Sequence, residues 1–302
     1  MQKIINPIKV ANLFMAITVL KRHLWLFLIS GFIFISSCQK LADTSTDDNS
    51  PSTQLNISYG SDPLQKMDIY LPGGRSASTT KVMVLIHGGG WTEGDKADFT
   101  SYVSTVQNLL PGYAVFNINY RLSSGSVNLF PTQENDVKAA IDFIYSKRNE
   151  YHISDKFVYL GASAGGHLAL LQAYKYTSPV KAKAVVSFFG PTDLTALYNS
   201  NILAGPIVAQ AIGTTPSANP TLYQQSSPIT FVNASLPPTI LLQGGLDPLV
   251  PPDQAVSLQA ALNNAGITNQ YVFYPAEGHG WTGANLNDSF NKIAAFLNAN
   301  VN

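Results

Sequence analysis

The chain has 302 residues, 45% hydrophobic and 11% aromatic, enough to bury one large core or two modest ones and too apolar for a disordered segment. Its 18 Lys and Arg balance 18 Asp and Glu, so there is no basic excess to neutralise a phosphate backbone, which argues against DNA or RNA as a partner. A single cysteine, Cys38, excludes an intramolecular disulfide framework and any Cys-based zinc or iron–sulfur site.

Residues 1–37 carry Lys3, Lys9, Lys21 and Arg22 and no acid. An apolar run of twelve residues, 24–35, leads into Ile35-Ser36-Ser37-Cys38. A basic start, a short apolar run and small residues at its end describe a secretory signal. Twelve helical residues reach about 18 Å, short of the roughly 30 Å hydrocarbon core of a bilayer. A retained anchor helix is the alternative, because a second apolar stretch, residues 10–20, precedes Lys21-Arg22-His23. The last four residues of the segment resemble a bacterial lipobox, which implies that Cys38 is acylated, becomes the first mature residue and tethers the protein to a membrane of the cell envelope. Met15 would begin a more compact signal. From Cys38 onward the chain has 265 residues with 14 bases and 18 acids, a net charge of about −4. Residues 38–53 are polar, Pro-broken and aperiodic, and are expected to form a flexible tether ahead of one domain over 54–302.

In that domain, residues 55–59 and 67–71 read as a hairpin joined through Gly60-Ser61-Asp62-Pro63. Apolar runs at 82–86, 114–119, 157–160, 184–189, 239–242 and 270–274 read as strands buried on both faces. Helical patterns fall between and after them, at 102–110, 132–148, 166–176, 252–264 and 287–298. This alternation predicts an α/β fold with a mostly parallel central sheet and helices on both faces, with chemistry at the carboxyl ends of the strands. On the helix over 132–148, Asp136 is expected to serve as a cap and Asp142 to lie on a solvated face.

The run 157–160 passes at once into Gly161-Ala162-Ser163-Ala164-Gly165-Gly166 and then a helical stretch, which is G-x-S-x-G in the strand, turn, helix setting of a nucleophile elbow. Ser163 is therefore the candidate nucleophile. Such a serine needs a base and an orienting acid, which in this kind of fold follow it in that order, acid before histidine. His23 lies in the signal, His87 and His167 in Gly-rich turns and His152 ahead of a strand. His279, in the loop after the last strand, is the candidate base. Asp247, just past the strand at 239–242, is the candidate acid, with Asp253 and Asp193 as rivals. Asp253 is expected to cap the helix near Pro252 and Asp193 to shape a turn. The run 81–86 ends in His87-Gly88-Gly89-Gly90-Trp91, whose glycines let backbone N–H groups approach an oxyanion. Gly89, Gly90 and Ala164 are the expected donors, and His87 is expected to brace the loop. Residues 89–96 miss a P-loop because Asp95 stands where the lysine should be.

Taken together, SYGSDPLQKMDIYLP, VLIHGGGW, NYRL, GASAGGHLAL, LLQGGLDPLVP and GHGW resemble the α/β-hydrolase superfamily, over about residues 55–297. Within it the chain looks most like the HGGG(W) esterase and lipase group, closest to the bacterial acetylxylan and feruloyl esterase-like (BD-FAE-like) enzymes. Ala162 stands where hormone-sensitive-lipase-like members usually carry Asp, and the long N-terminal cap of that branch is missing. The resemblance implies a serine carboxylic-ester hydrolase acting on acetyl or feruloyl-type esters of carbohydrate, without metal or organic cofactor. Residues 191–237, with an apolar centre at 202–212, are expected to wall the substrate pocket. An amide hydrolase of arylformamidase type, a serine peptidase and a non-catalytic surface binding protein stay open as alternatives.

Overall fold

The computed structural model describes residues 49–302, so the signal segment, Cys38 and most of the expected tether lie outside the described residues. Among the described residues eight strands form one sheet: β1 (Ser52–Ser58), β2 (Lys66–Leu71), β3 (Lys81–Ile86), β4 (Tyr113–Ile118), β5 (Phe157–Ala162), β6 (Ala184–Phe188), β7 (Thr239–Gly244) and β8 (Asn269–Tyr274). Their order is β1-β2-β4-β3-β5-β6-β7-β8. The first hairpin pairs antiparallel, as does β2 with β4, and every later pair is parallel. This is the mostly parallel sheet expected from the alternation of elements, in the α/β-hydrolase arrangement that the resemblance implies.

Alternation along each strand divides the core between two faces. In β3, Val82, Val84 and Ile86 join one cluster, while Met83 and Leu85 join the other. Helices α2 (Thr132–Ser146), α3 (Ala164–Lys175) and α7 (Pro252–Asn264) cover the first face through Val137, Ile141, Leu168 and Leu258. Helices α1 (Ala97–Leu109) and α8 (Gly283–Asn300) cover the second through Val103, Val106, Phe290 and Ile293. Truncating a fully buried strand residue such as Leu85 to Ala costs about 2–5 kcal/mol.

Several local expectations are corrected. Ser52 and Thr53, placed in the tether, pair with Leu71 and Tyr70, because an edge strand accepts polar side chains while its backbone completes the ladder. Helix α1 starts five residues early, at Ala97, whose N–H donates to the Asp95 carboxylate at 2.8 Å; the weak helix formers Thr100 and Ser101 hide its first turn in the sequence. Helix α8 likewise starts four residues early, at Gly283, where Gly and Asn mask the periodicity. Asp136 is neither a cap nor solvated. It is buried one turn into α2, accepts from the Arg121 guanidinium at 2.6 and 2.9 Å, from the Arg121 N–H at 2.9 Å and from Gln65 at 2.7 Å, and so ties the chain after β4 to α2 and to the first hairpin. Asp142 does lie on a solvated face, paired with Lys138 one turn away. Residues 191–237 hold three helices, α4 (Leu194–Ser200), α5 (Ala204–Ile212) and α6 (Pro220–Gln225), then a 3₁₀ turn over Pro228–Phe231.

Candidate active site

Strand β5 leads directly into Ser163, whose backbone is held at φ 54°, ψ −122°, a region costly for any residue but glycine. The turn survives because its neighbours leave no room for an alternative. The Ser163 N–H donates to the Phe188 carbonyl at 2.8 Å, and a Cβ on Gly165 would sit 2.0 Å from the Ile86 carbonyl oxygen. Helix α3 begins at the next residue, so the serine stands at a helix N-terminus, where developing negative charge is favoured.

The loop after β8 brings His279 over this turn, with Nε2 2.8 Å from Ser163 Oγ and Nδ1 2.8 Å from Asp247 Oδ2. Asp247 follows β7. Its Oδ1 accepts from the Leu249 and Val250 N–H groups, each at 2.9 Å, and its Oδ2 also accepts from Gln243 Nε2 at 3.2 Å. A carboxylate so surrounded by donors accepts the His279 Nδ1–H, leaving the Nε2 lone pair facing the serine hydroxyl. Neither rival acid joins the group. Asp193 caps α4, accepting the Ala196 N–H at 2.9 Å. Asp253 does not cap α7, because Pro251 occupies the cap position; it sits in the first turn, where the helix dipole suits a carboxylate.

Across from the serine, Gly89 (φ +100°) and Gly90 (φ +58°) adopt backbone that only glycine takes readily. The Gly88 carbonyl accepts from His87 Nδ1 at 2.8 Å and Tyr120 Oη at 3.1 Å, the Gly89 carbonyl from the Thr92 and Glu93 N–H groups at 3.0 Å, and the Ser163 carbonyl from His167 N–H at 3.0 Å. In a planar trans peptide the N–H points opposite its carbonyl. The N–H groups of Gly89, Gly90 and Ala164 are thereby turned away from these partners, and all three residues line the cavity that holds Ser163 and His279. His87 braces the loop as expected, stacking on Tyr120 at 4.2 Å between ring centroids, and burial lowers its pKa.

Three features were not legible beforehand. Tyr120, inside the NYRL segment, donates to the His87 and Gly88 carbonyls, each at 3.1 Å, and so fixes the glycine loop from behind. His167 is not in a turn but buried in α3. Trp91 Nε1 donates to its Nδ1 at 3.2 Å, so its Nε2–H donates to the Ser226 carbonyl at 2.7 Å, linking the glycine loop to the 191–237 segment. Burial pushes its pKa down to about 4, which keeps the ring neutral. Phe189, at φ 38°, carries its ring to 4.7 Å from His279. No sequence signal marks it beyond its place at a strand end.

The cavity measures about 510 Å3. Leu197, Ala204, Ile207 and Val208 wall one side, as expected of the 191–237 segment. A hydroxyl with a base at hydrogen-bond distance, an acid behind that base and convergent N–H groups beside it can carry acyl transfer through a covalent intermediate.

The BD-FAE family model matches residues 67–262. The probable carboxylic ester hydrolase LipM of Mycobacterium tuberculosis is 32% identical over 239 residues, covering 72% of this chain and 53% of its own length. The chain spans about half the length of the curated relatives it matches. Among solved structures, a bifunctional GH43-CE protein of Bacteroides eggerthii superposes with a TM-score of 0.70 at 30% identity, over 80% of this chain and 38% of its own. A truncated carbohydrate esterase from gut microbiota superposes with a TM-score of 0.70 at 26% identity, over 82% of this chain and 98% of its own.

Proposed function

The chain belongs to the BD-FAE family of α/β-hydrolases, and from that premise we propose that it is a serine carboxylic-ester hydrolase removing small acyl groups, acetyl or feruloyl in type, from esters carried on carbohydrate. The observation that carries this reading is the pair of 2.8 Å contacts joining Ser163, His279 and Asp247 beside the Gly89–Gly90 loop. In the proposed cycle His279 Nε2 takes the Ser163 proton as Oγ bonds to the ester carbonyl carbon. The Gly89, Gly90 and Ala164 N–H groups hold the oxyanion, and Asp247 stabilises the imidazolium. Collapse breaks the bond to the alcohol, which leaves with the proton from His279. Water, deprotonated by the same imidazole, then releases the acid and restores the serine. The likeness to proteins named as carbohydrate esterases supports the choice of substrate class.

Hydrolysis of p-nitrophenyl acetate, p-nitrophenyl octanoate, acetylated xylan and methyl ferulate by the protein and its Ser163→Ala variant tests the reading. Ser163-dependent release from acetate, xylan or ferulate is expected. Turnover of octanoate alone would recast the site as lipase-like, and activity on an anilide but on no ester would move the reaction to amides. Ser163→Ala is expected to lower kcat by about 10⁶-fold, the scale seen when a serine protease loses its nucleophile.

The address belongs to the same proposal: Cys38 carries lipid and holds the enzyme at the bacterial cell envelope. Labelling with radioactive palmitate, lost in Cys38→Ala, is the expected result; an unlabelled protein in the culture medium would overturn it.

A further inference from the structure

The turn after β7 that carries Asp247 is gripped from two sides. Within it, the Leu249 and Val250 N–H groups donate to Asp247 Oδ1, each at 2.9 Å. The two peptide units that supply those N–H groups point the Pro248 and Leu249 carbonyls the other way, because C=O and N–H oppose each other in a trans peptide. Both carbonyls accept from one side chain: Asn201 Nδ2 donates to Pro248 O at 3.0 Å and to Leu249 O at 3.1 Å. A single amide thus holds from behind the two peptides that hold the carboxylate from in front.

Asn201 does not belong to that turn. It stands at the corner between α4 and α5, in the segment that walls the cavity. Its Oδ1 accepts from the Leu203 and Ala204 N–H groups at 2.9 and 3.0 Å, at the start of α5. All four hydrogen-bonding positions of the amide are therefore filled, two on each segment. Asn201 is 8% exposed, although Ile202 and Leu203 beside it are 91% and 55% exposed. Apolar packing does not seat these two residues on the turn, so the buried amide makes the connection.

We infer that Asn201 is a positioning residue, which through the peptides at 248–250 keeps Asp247 in line with His279 and so ties the substrate wall to the reacting group. The inference rests on the serine-hydrolase part of the proposed function. A donor on a peptide carbonyl polarises the N–H at its other end, so bonds in series strengthen one another. With its carbonyls unheld, the turn can swing those N–H groups off Asp247 and loosen the 2.8 Å contact to His279 Nδ1. A misplacement of about 1 Å can cost about 100-fold in rate. The turn would keep its tie to Gln243, which donates to the Val250 carbonyl at 2.9 Å, so a smaller loss is expected.

Two substitutions separate the link from the corner. Asn201→Ser keeps a short acceptor for the α5 N–H groups, as serine does at helix starts, and is too short to reach the Pro248 and Leu249 carbonyls. Asn201→Asp keeps the shape and the acceptor and puts a carboxylate oxygen where the donor was. Both are expected to lower kcat on p-nitrophenyl acetate about tenfold, with KM within about twofold of the parent. A rise in KM at unchanged kcat would confine Asn201 to the substrate wall, and a loss in Asn201→Asp alone would trace to the added charge; either overturns the inference. A double-mutant cycle reads the route: in an Asp247→Asn background Asn201→Ser should change kcat by less than about twofold, and a further tenfold loss would show that the amide acts elsewhere.

A tagged ethyl fluorophosphonate, which bonds to an activated serine with loss of fluoride, reads the same group without an ester. Labelling of Ser163 about tenfold slower in both variants, in a protein that hydrolyses no ester, would leave the positioning role standing and remove the esterase reading. Equal labelling of parent and variants would overturn the positioning role, and an unlabelled parent would remove both.

Discussion

The active centre has two walls of different origin. One is made of strand ends: the Ser163 turn after β5, the His87–Trp91 loop after β3 and the loops carrying Asp247 and His279. The other is the 191–237 segment, whose helices α4 and α5 present Leu197, Ala204, Ile207 and Val208. The first wall is built from backbone constraints, such as the Gly165 position where a Cβ would strike the Ile86 carbonyl. The second is held by side-chain packing and by single bridges such as Trp91–His167–Ser226. On the proposed reading, chemistry rests on the part whose geometry the main chain dictates, and selectivity on the part that side chains can remodel.

Substitutions on each wall should therefore fail differently. On the strand-end wall, Asp247→Asn is expected to lower kcat about 10⁴-fold with the fold intact, because an amide presents the wrong partner to His279 Nδ1; this scale is that of the equivalent change in a serine protease. Steady-state kinetics read it, and a parent-like rate would dissolve the proposed role of Asp247. The bridge between the walls should be sensitive to acid. His167 takes a proton at about pH 4 in the folded protein against an ordinary value of 6.5, so the unfolded chain binds the proton first. Its contribution is complete above pH 6.5 and is lost as pH falls towards 4, about 3 kcal/mol in all. Urea midpoints across that range should fall with acid, and the fall should be shallower in His167→Gln. Burial lowers the His87 pKa in the same sense, so His87 adds to the slope.

Smaller effects follow behind the glycine loop. Tyr120→Phe removes the donor shared by the His87 and Gly88 carbonyls and is expected to cost about tenfold in kcat, near 1.4 kcal/mol, with KM unchanged. A change in KM instead would place Tyr120 with the substrate-binding wall. Smallest of all, Ile207→Ala should raise KM about fivefold, near 1 kcal/mol, with little change in kcat, since Ile207 reaches the Gly90 position and borders the cavity without touching the reacting atoms.

The same division explains what could be read from the chain. Apart from the polar edge strand β1, which begins three residues before the expected 55, strand positions matched to within two residues because each is a run of apolar residues bounded by turns, as in 239–242 and β7 (Thr239–Gly244). Ser163 was legible because a nucleophile elbow needs particular residues at particular steps, and Asp247 and His279 because each follows a late strand in the order acid, then histidine. The helices of 191–237 were not, because all three are short, and α4 and α6 are capped by Asp193 and Asn219, which also read as turn residues. Asp136 misled for a related reason: a carboxylate near a helix start looks like a cap, and only the fold brings Arg121 and Gln65 to it. Phe189 offered nothing, since its backbone strain is a property of the assembled sheet.

One consequence concerns time. Ser163 and His279 are 116 residues apart in the chain, and the base follows the last strand of the sheet. At roughly 5–20 residues per second of synthesis, the serine leaves the ribosome about 6–23 s before the imidazole that would activate it. On the proposed reading the serine has no base throughout that interval, so the nascent chain would be inert toward esters it meets, and competence would arrive only when β8 has joined the sheet.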